Sequence, residues 1–253
     1  MVVSVLQAQF FFLALTRILA MIIHVPILAG PSVPTQIRLS LGILLTAVML
    51  PWQPVPPEAA SIPFVLFAVD ILRELIIGTL AGFSAVLTFN ALSIAGELMG
   101  MSSGFSAGRI LNPALENTGS SMDQLFLITA MLIFIAVNGH YSFILGIKRT
   151  FDIIPLMSPL PQLSVQPLLV LTSQMIATGV QLAFPVMGTL LLTDLTLGLL
   201  ARVAPQIQVF FLGVPLKVGL GLITMGLSLP LLLPKLTQMF HSIGLMSLKL
   251  IGG

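Results

Sequence analysis

The sequence predicts an all-α membrane protein, and three observations carry that prediction. Hydrophobic residues fill 57% of its 253 positions. Charged residues make up 7%, against about 25% in a typical soluble domain. The apolar residues fall in runs long enough to cross a hydrocarbon core, which takes about 20 helical residues. The formal charge of +2 is spread without a basic block, so nothing points to nucleic acid.

Six hydrophobic segments follow in order. The first runs from Val5 to Ile23, with Arg17 inside it, and ends at the turn-rich His24–Pro34. No positive n-region precedes it, so it reads as a retained hydrophobic helix. The second, Ile37–Leu50, is short for a span and leads into Pro51-Trp52-Gln53-Pro54-Val55-Pro56-Pro57, a stiff extended linker whose Trp suits an interface. The third, Ile62–Met101, is too long for one simple crossing. The fourth, Gln124–Ile147, lies between Asp123 and Lys148-Arg149. The fifth is Pro167–Leu200 with Pro185 inside; the sixth runs on to Pro234, with Pro215 and Pro230 inside and a short tail beyond. Cations at Arg38, Lys148, Arg149, Arg202, Lys217, Lys235 and Lys249 favour no set of alternate loops, so charge bias sets no orientation. Irregular lengths and internal prolines suggest helices packed against partners as readily as a plain bundle in lipid.

Between the fifth and sixth segments stands Ala201-Arg202-Val203-Ala204-Pro205-Gln206. Arg202 at the centre of a lipid-exposed helix would cost about 2.5–3.5 kcal/mol, and Pro205 removes a helix hydrogen bond. This is either a loop between two hairpin arms or a functional interruption.

Other polar features divide in the same way. Asp70, Arg73 and Glu74 sit at i, i+3 and i+4 and share one helical face. Two carboxylates can flank the one guanidinium, leaving a negative charge that needs a further partner. A structural ion pair is expected there over a proton relay, although intramembrane carboxylates do mark ion paths. Gly78-x-x-x-Gly82 and Gly96-x-x-x-Gly100-x-x-x-Gly104 place glycines on one face and let a second backbone approach; intramolecular packing is the first reading, subunit contact the second. Asn138-Gly139-His140-Tyr141 reads as a hydrogen-bonded polar cap. Ser102–Ser121 is the longest polar interruption after the proline linker, with Ser and Gly at eight of twenty positions and Phe105, Ile110, Leu111 and Leu115 dispersed through it. It is a surface loop or, with those apolar tips, a plug that closes a passage by packing.

Catalysis has little support. The chain has no cysteine, which excludes disulfides, thiolate chemistry and Cys-ligated metal. His24, His140 and His241 are not at metal-ligand spacing. No phosphate-binding loop occurs, and Asp70 and Asp194 lack the Gly-x-Gly-Asp context of an intramembrane protease. No enzyme activity, cofactor or metal is expected. An ion-coupled secondary transporter using Asp70, Glu97 or Asp194 is the rival from a different class.

One set of runs adds a resemblance. Leu197-Gly198-Leu199-Leu200-Ala201-Arg202-Val203-Ala204-Pro205-Gln206-Ile207-Gln208-Val209-Phe210, then Gly213-Val214-Pro215-Leu216, resembles the signature of the FliR/SctT family of type III secretion export-gate membrane proteins. Glu74-Leu75-Ile76-Ile77-Gly78, Ala95-Gly96-Glu97-Leu98-Met99-Gly100, Asn138-Gly139-His140, Ala183-Phe184-Pro185-Val186, and Val33-Pro34 with Arg38 fall in that family's order, from about Arg17 to Gly221. The flagellar branch is the nearer match, the injectisome branch the alternative. The resemblance implies broken helices and helical hairpins, similar to a fusion of FliP-like and FliQ-like units: 1–160 FliP-like, with the loop 102–121, and 161–253 a FliQ-like hairpin. It implies a pore-wall and plug role in passing unfolded flagellar proteins, at the basal body in the bacterial inner membrane. Implied partners are FliP and FliQ homologues, FlhB and FlhA homologues, unfolded export substrates and membrane lipid. The plug then corresponds to Gly104–Asn117, including Phe105, Ile110, Leu111, Asn112 and Pro113. Asp70, Arg73, Glu74, Gly96, Glu97, Gly100, Asn138, His140, Arg202, Pro205 and Gln206 become subunit-packing or buried polar positions. In that setting the 201–206 break is a hairpin turn.

Overall fold

Short-range signals set the starts of the first two helices. In the computed structural model, which describes residues 4–30, 33–50, 62–104, 121–161, 164–206 and 208–252, helix α1 (Val5–Ile22) opens on a capping box. The Ser4 hydroxyl accepts from the Gln7 N–H at 3.1 Å, and the Gln7 side chain accepts from the Ser4 N–H at 3.0 Å. Pro26 starts the single turn α2 (Pro26–Ala29) at a position where its missing N–H is not needed. Helices α3 (Thr35–Met49) and α4 (Phe64–Ser103) follow, then α5 (Ser121–Ala136), α6 (Gly139–Ile153), α7 (Val165–Val203) and α8 (Val209–Leu250). No strand occurs among the described residues. Among the described residues three helices are long and apolar enough to cross a membrane, α1, α7 and α8, or four if the bent pair α5–α6 forms one span.

Three segments differ from the sequence expectation. The third is one unbroken helix of 40 residues, about 60 Å at 1.5 Å per residue, or about twice a hydrocarbon core. The fourth is two helices, bent by 69° at a break. Asn138 stands there in the left-handed region, at φ 57° and ψ 33°, which Asn tolerates better than most residues. The sixth continues past Pro234 to Leu250 with Pro215, Pro230 and Pro234 inside it. Leu236, Phe240, Ile243, Ser247 and Leu250 are buried and fall at the 4-3-4-3 spacing of one helical face. That stripe carries the helix across the missing N–H groups.

Hydroxyls in these apolar helices serve their own backbone. Thr46, Thr88, Ser102, Ser103, Thr189, Thr193, Thr196 and Ser247 each donate to the carbonyl four residues earlier. A polar side chain satisfied locally can stay in an apolar setting without a partner elsewhere.

The chain forms two compact units. The first comprises Met1–Phe89, Asn138–Thr172 and Phe240–Gly253. Here α1 and α4 run parallel: a Cβ added at Gly78 would lie 2.5 Å from the Arg17 carbonyl oxygen and 2.7 Å from the Ala20 Cβ. At Gly82 a Cβ would lie 3.0 Å from Met21 and His24 atoms. The intramolecular reading of this glycine pair therefore holds. The middle of α4 and the end of α8 pack antiparallel, with Ser84 and Ser247 hydroxyls 2.9 Å apart and Phe89 and Phe240 ring centroids 5.8 Å apart. Helices α6 and α8 meet closer still. A Cβ at Gly146 would lie 2.8 Å from the Gly244 Cα, and one at Gly244 would lie 2.7 Å from the Ser142 carbonyl oxygen.

The second unit comprises Asn90–Val137 and Ser173–Met239. Gly96 packs against Asp123, and Gly221 against Ser103, Met122 and Leu190. Its α7 and α8 arms form an antiparallel hairpin. Lys217 reaches Asp194 at 2.9 Å, and Gly213 lies against Leu197 nearer the turn.

Candidate functional site: a buried ion pair closing a helix end

Among the described residues the most buried charge sits in the first unit. Arg17 is the one charged residue of α1, and its side chain has no exposed surface. A guanidinium so placed requires a carboxylate and further acceptors. Glu74 of α4, 57 residues on, accepts from the Arg17 Nε, and its own side chain is 3% exposed. Arg17 Nη1 donates to the carbonyls of Thr150 at 3.1 Å and Ile154 at 2.7 Å. The Thr150 carbonyl also accepts from the Ile154 N–H at 2.9 Å, and the Ile154 carbonyl, just past the last residue of α6, is one that a helix end leaves without an intrahelical donor. A cation at that end also meets the negative end of the helix dipole. The guanidinium carbon lies 4.4 Å from the centroid of the Phe151 ring, within cation–π range. One pair of side chains thus ties α1, α4 and the C-terminal end of α6 together.

This arrangement supplies the further partner that the Asp70–Arg73–Glu74 face needs. Arg73 pairs with Asp70 alone, at 3.0 Å. Glu74 turns inward to Arg17, because a second carboxylate on the half-exposed Arg73 would leave Arg17 buried and unneutralised. Arg17 was legible only as a lone cation in an apolar segment, the one signal that marks it.

The remaining sequence candidates are dispersed. Gly96 and Gly100 are buried in α4, and Glu97 is exposed. Asn138 is exposed and its side chain makes no cap hydrogen bond. The polar-cap expectation is therefore corrected: Asn138 acts through its backbone, by turning the chain. His140 is exposed at the start of α6. Within the same unit His241 meets the Ser142 hydroxyl at 2.9 Å, a contact the sequence did not suggest. Arg202, Pro205 and Gln206 are exposed at the end of α7 and the turn beyond it. Gly104 ends α4 with φ 83°, a conformation that favours glycine. Phe105, Ile110, Leu111, Asn112 and Pro113 lie outside the described residues.

Chemically, the ion pair neutralises itself and presents no nucleophile. Among the described residues no three His, Cys, Asp or Glu side chains group as a metal site. Asp194 and Lys217 likewise pair with each other. The charged groups brought together here serve to join helices.

Fold and site together define a class: an all-helical membrane protein whose internal charges are used in helix packing. Comparison with known proteins gives the family. The family described as bacterial export proteins, family 1, matches residues 8–243, and the chain belongs to it. This is the FliR/SctT family. The chain is 32% identical to the flagellar biosynthetic protein FliR of Escherichia coli strain K12, over 92% of this chain and 89% of that protein. It is 32% identical to FliR of Aquifex aeolicus, over 89% and 87% of the two chains. The match to FliR of Bacillus subtilis is 27%, over 84% and 83%.

Proposed function

We propose that this chain is a subunit of the flagellar type III protein export gate, forming part of the pore wall and plug through which unfolded flagellar proteins pass. The observation that carries the reading is the near full-length match to flagellar biosynthetic FliR proteins, 92% of this chain against 89% of the Escherichia coli relative. The family match over residues 8–243 runs through the stretch after α4 and the turn at 201–206. The subunit works in the inner membrane at the basal body, beside FliP and FliQ homologues and near FlhB and FlhA homologues. Residues 1–160 supply the FliP-like part and 161–253 the FliQ-like hairpin.

Surface chemistry supports a subunit within an assembly. In α5, Leu125, Ile128, Leu132 and Ile135 are exposed, at the 3-4-3 spacing that suits a partner helix as well as lipid. Large apolar side chains are also exposed along α7 and α8, among them Phe184, Leu191, Leu199, Leu227 and Leu231.

The plug follows α4. Gly104 ends the helix, and Phe105, Ile110 and Leu111, on the loop that includes Asn112 and Pro113, seal the closed gate by apolar packing. An entering chain displaces them. Replacing Phe105, Ile110 and Leu111 together by Gly in the assembled complex is expected to raise small-solute leakage across the membrane while the complex still forms. Unchanged leakage in an assembled complex contradicts the plug. Failure of the intact chain to co-purify with its FliP and FliQ homologues contradicts the subunit assignment itself.

A further inference from the structure

We infer that the Arg17–Glu74 pair is a latch on the turn after α6, holding that turn in a conformation it does not keep by itself. The turn is locally disfavoured. Met157 has φ 65°, the left-handed region that a long L side chain rarely adopts and that needs outside support. Its own hydrogen bonding is thin. Pro155 brings no N–H, and the local bonds run from Ser158 back to the Pro155 carbonyl, the backbone one at 3.2 Å.

Apolar anchorage is thin too. Pro155, Met157, Pro159 and Leu160 are exposed, and Ile154 is buried. The remaining support comes from two other helices: Arg17 of α1, paired with Glu74 of α4, holds the Ile154 carbonyl at 2.7 Å. The buried residue three before the strained position is therefore fixed through one ion pair. The same turn starts the path from α6 into α7, so the latch sets where that connection leaves the helix. This inference rests on the first unit alone and is independent of the export-gate reading.

The chain has no natural cysteine, so single reporters are clean. Ile154→Cys reports the turn, and Ala130→Cys, at a position 1% exposed in the second unit, reports general loosening. The full chain is expressed in membranes and labelled with N-ethylmaleimide. The double change Arg17→Met with Glu74→Leu removes the latch without stranding a buried charge. It is expected to speed labelling at position 154 by about tenfold while leaving position 130 unchanged, as for a local opening. Adding Met157→Gly, which removes the left-handed penalty, is expected to slow labelling at position 154 again. The inference is overturned if labelling at 154 stays within about twofold of the parent, if both positions speed up together, or if Met157→Gly brings no slowing.

Discussion

Arg17→Met by itself is expected to destabilise the protein by about 3–5 kcal/mol, the cost of breaking a buried ion pair and leaving one charge uncompensated. Four contacts are lost at once: the Glu74 carboxylate, the Thr150 and Ile154 carbonyls and the face of Phe151. Glu74→Leu should cost a similar amount, since the guanidinium then has carbonyls but no counter-charge. The double change Arg17→Met with Glu74→Leu should recover most of the loss, because two apolar side chains of similar volume carry no desolvation cost. Thermal unfolding of the detergent-solubilised chain checks this. At about 3 °C per kcal/mol for this length, each single change lowers Tm by about 10 °C or more, and the double change lowers it by a small fraction of that. Additive losses in the double variant would mean that the two residues do not act as a pair.

Gly78 carries the second large effect. A Cβ there would lie 2.5 Å from the Arg17 carbonyl oxygen, and a backbone oxygen cannot rotate away as a side chain can. Helix α1 must shift, and with it the guanidinium that Glu74 meets within one turn of Gly78. Gly78→Ala is expected to cost about 1–3 kcal/mol by overpacking, with part of the ion-pair energy lost in addition. Gly188 and Gly198 supply the control, because a Cβ at either meets nothing within 4 Å. In those open helical positions Gly→Ala should be neutral or stabilising by up to about 1 kcal/mol. The same unfolding measurement separates the two cases. Equal effects at Gly78 and Gly188 would show that helix propensity, and not close approach, governs both.

Much of the fold was legible because membrane helices advertise themselves. The limits of α1 and α3 and the turn at 201–206 follow from apolar runs ended by Pro, Gly or a charge. Gly78 and Gly82 could be read as a pair because they lie on one helix. Gly146 and Gly244 could not, since each is a lone glycine until α6 and α8 are brought together.

The misreadings share a cause, local signals applied where tertiary support decides. Pro234 looked like a helix end, yet the apolar stripe from Leu236 to Leu250 carries α8 onward. Asn138 looked like a polar cap in a continuous helix, yet its left-handed backbone ends α5 and turns the chain into α6. The same holds for the site. Asp70, Arg73 and Glu74 were correctly placed on one face, but which of them meets the buried cation was set by a residue in another helix. Arg17 itself gave one signal, isolation in an apolar segment, and burial later showed its weight.

Export is the function that the family membership and the architecture support together, so the most direct measurement is secretion. In a flagellated host from which this chain has been deleted, flagellar proteins in the culture medium are quantified after the chain is returned in three forms: intact, Arg17→Met, and Arg17→Met with Glu74→Leu. The intact chain is expected to restore secretion, the single variant to restore little, and the double variant to restore more than the single. Absence of secretion with the intact chain stably present in the membrane beside its partners would contradict the account.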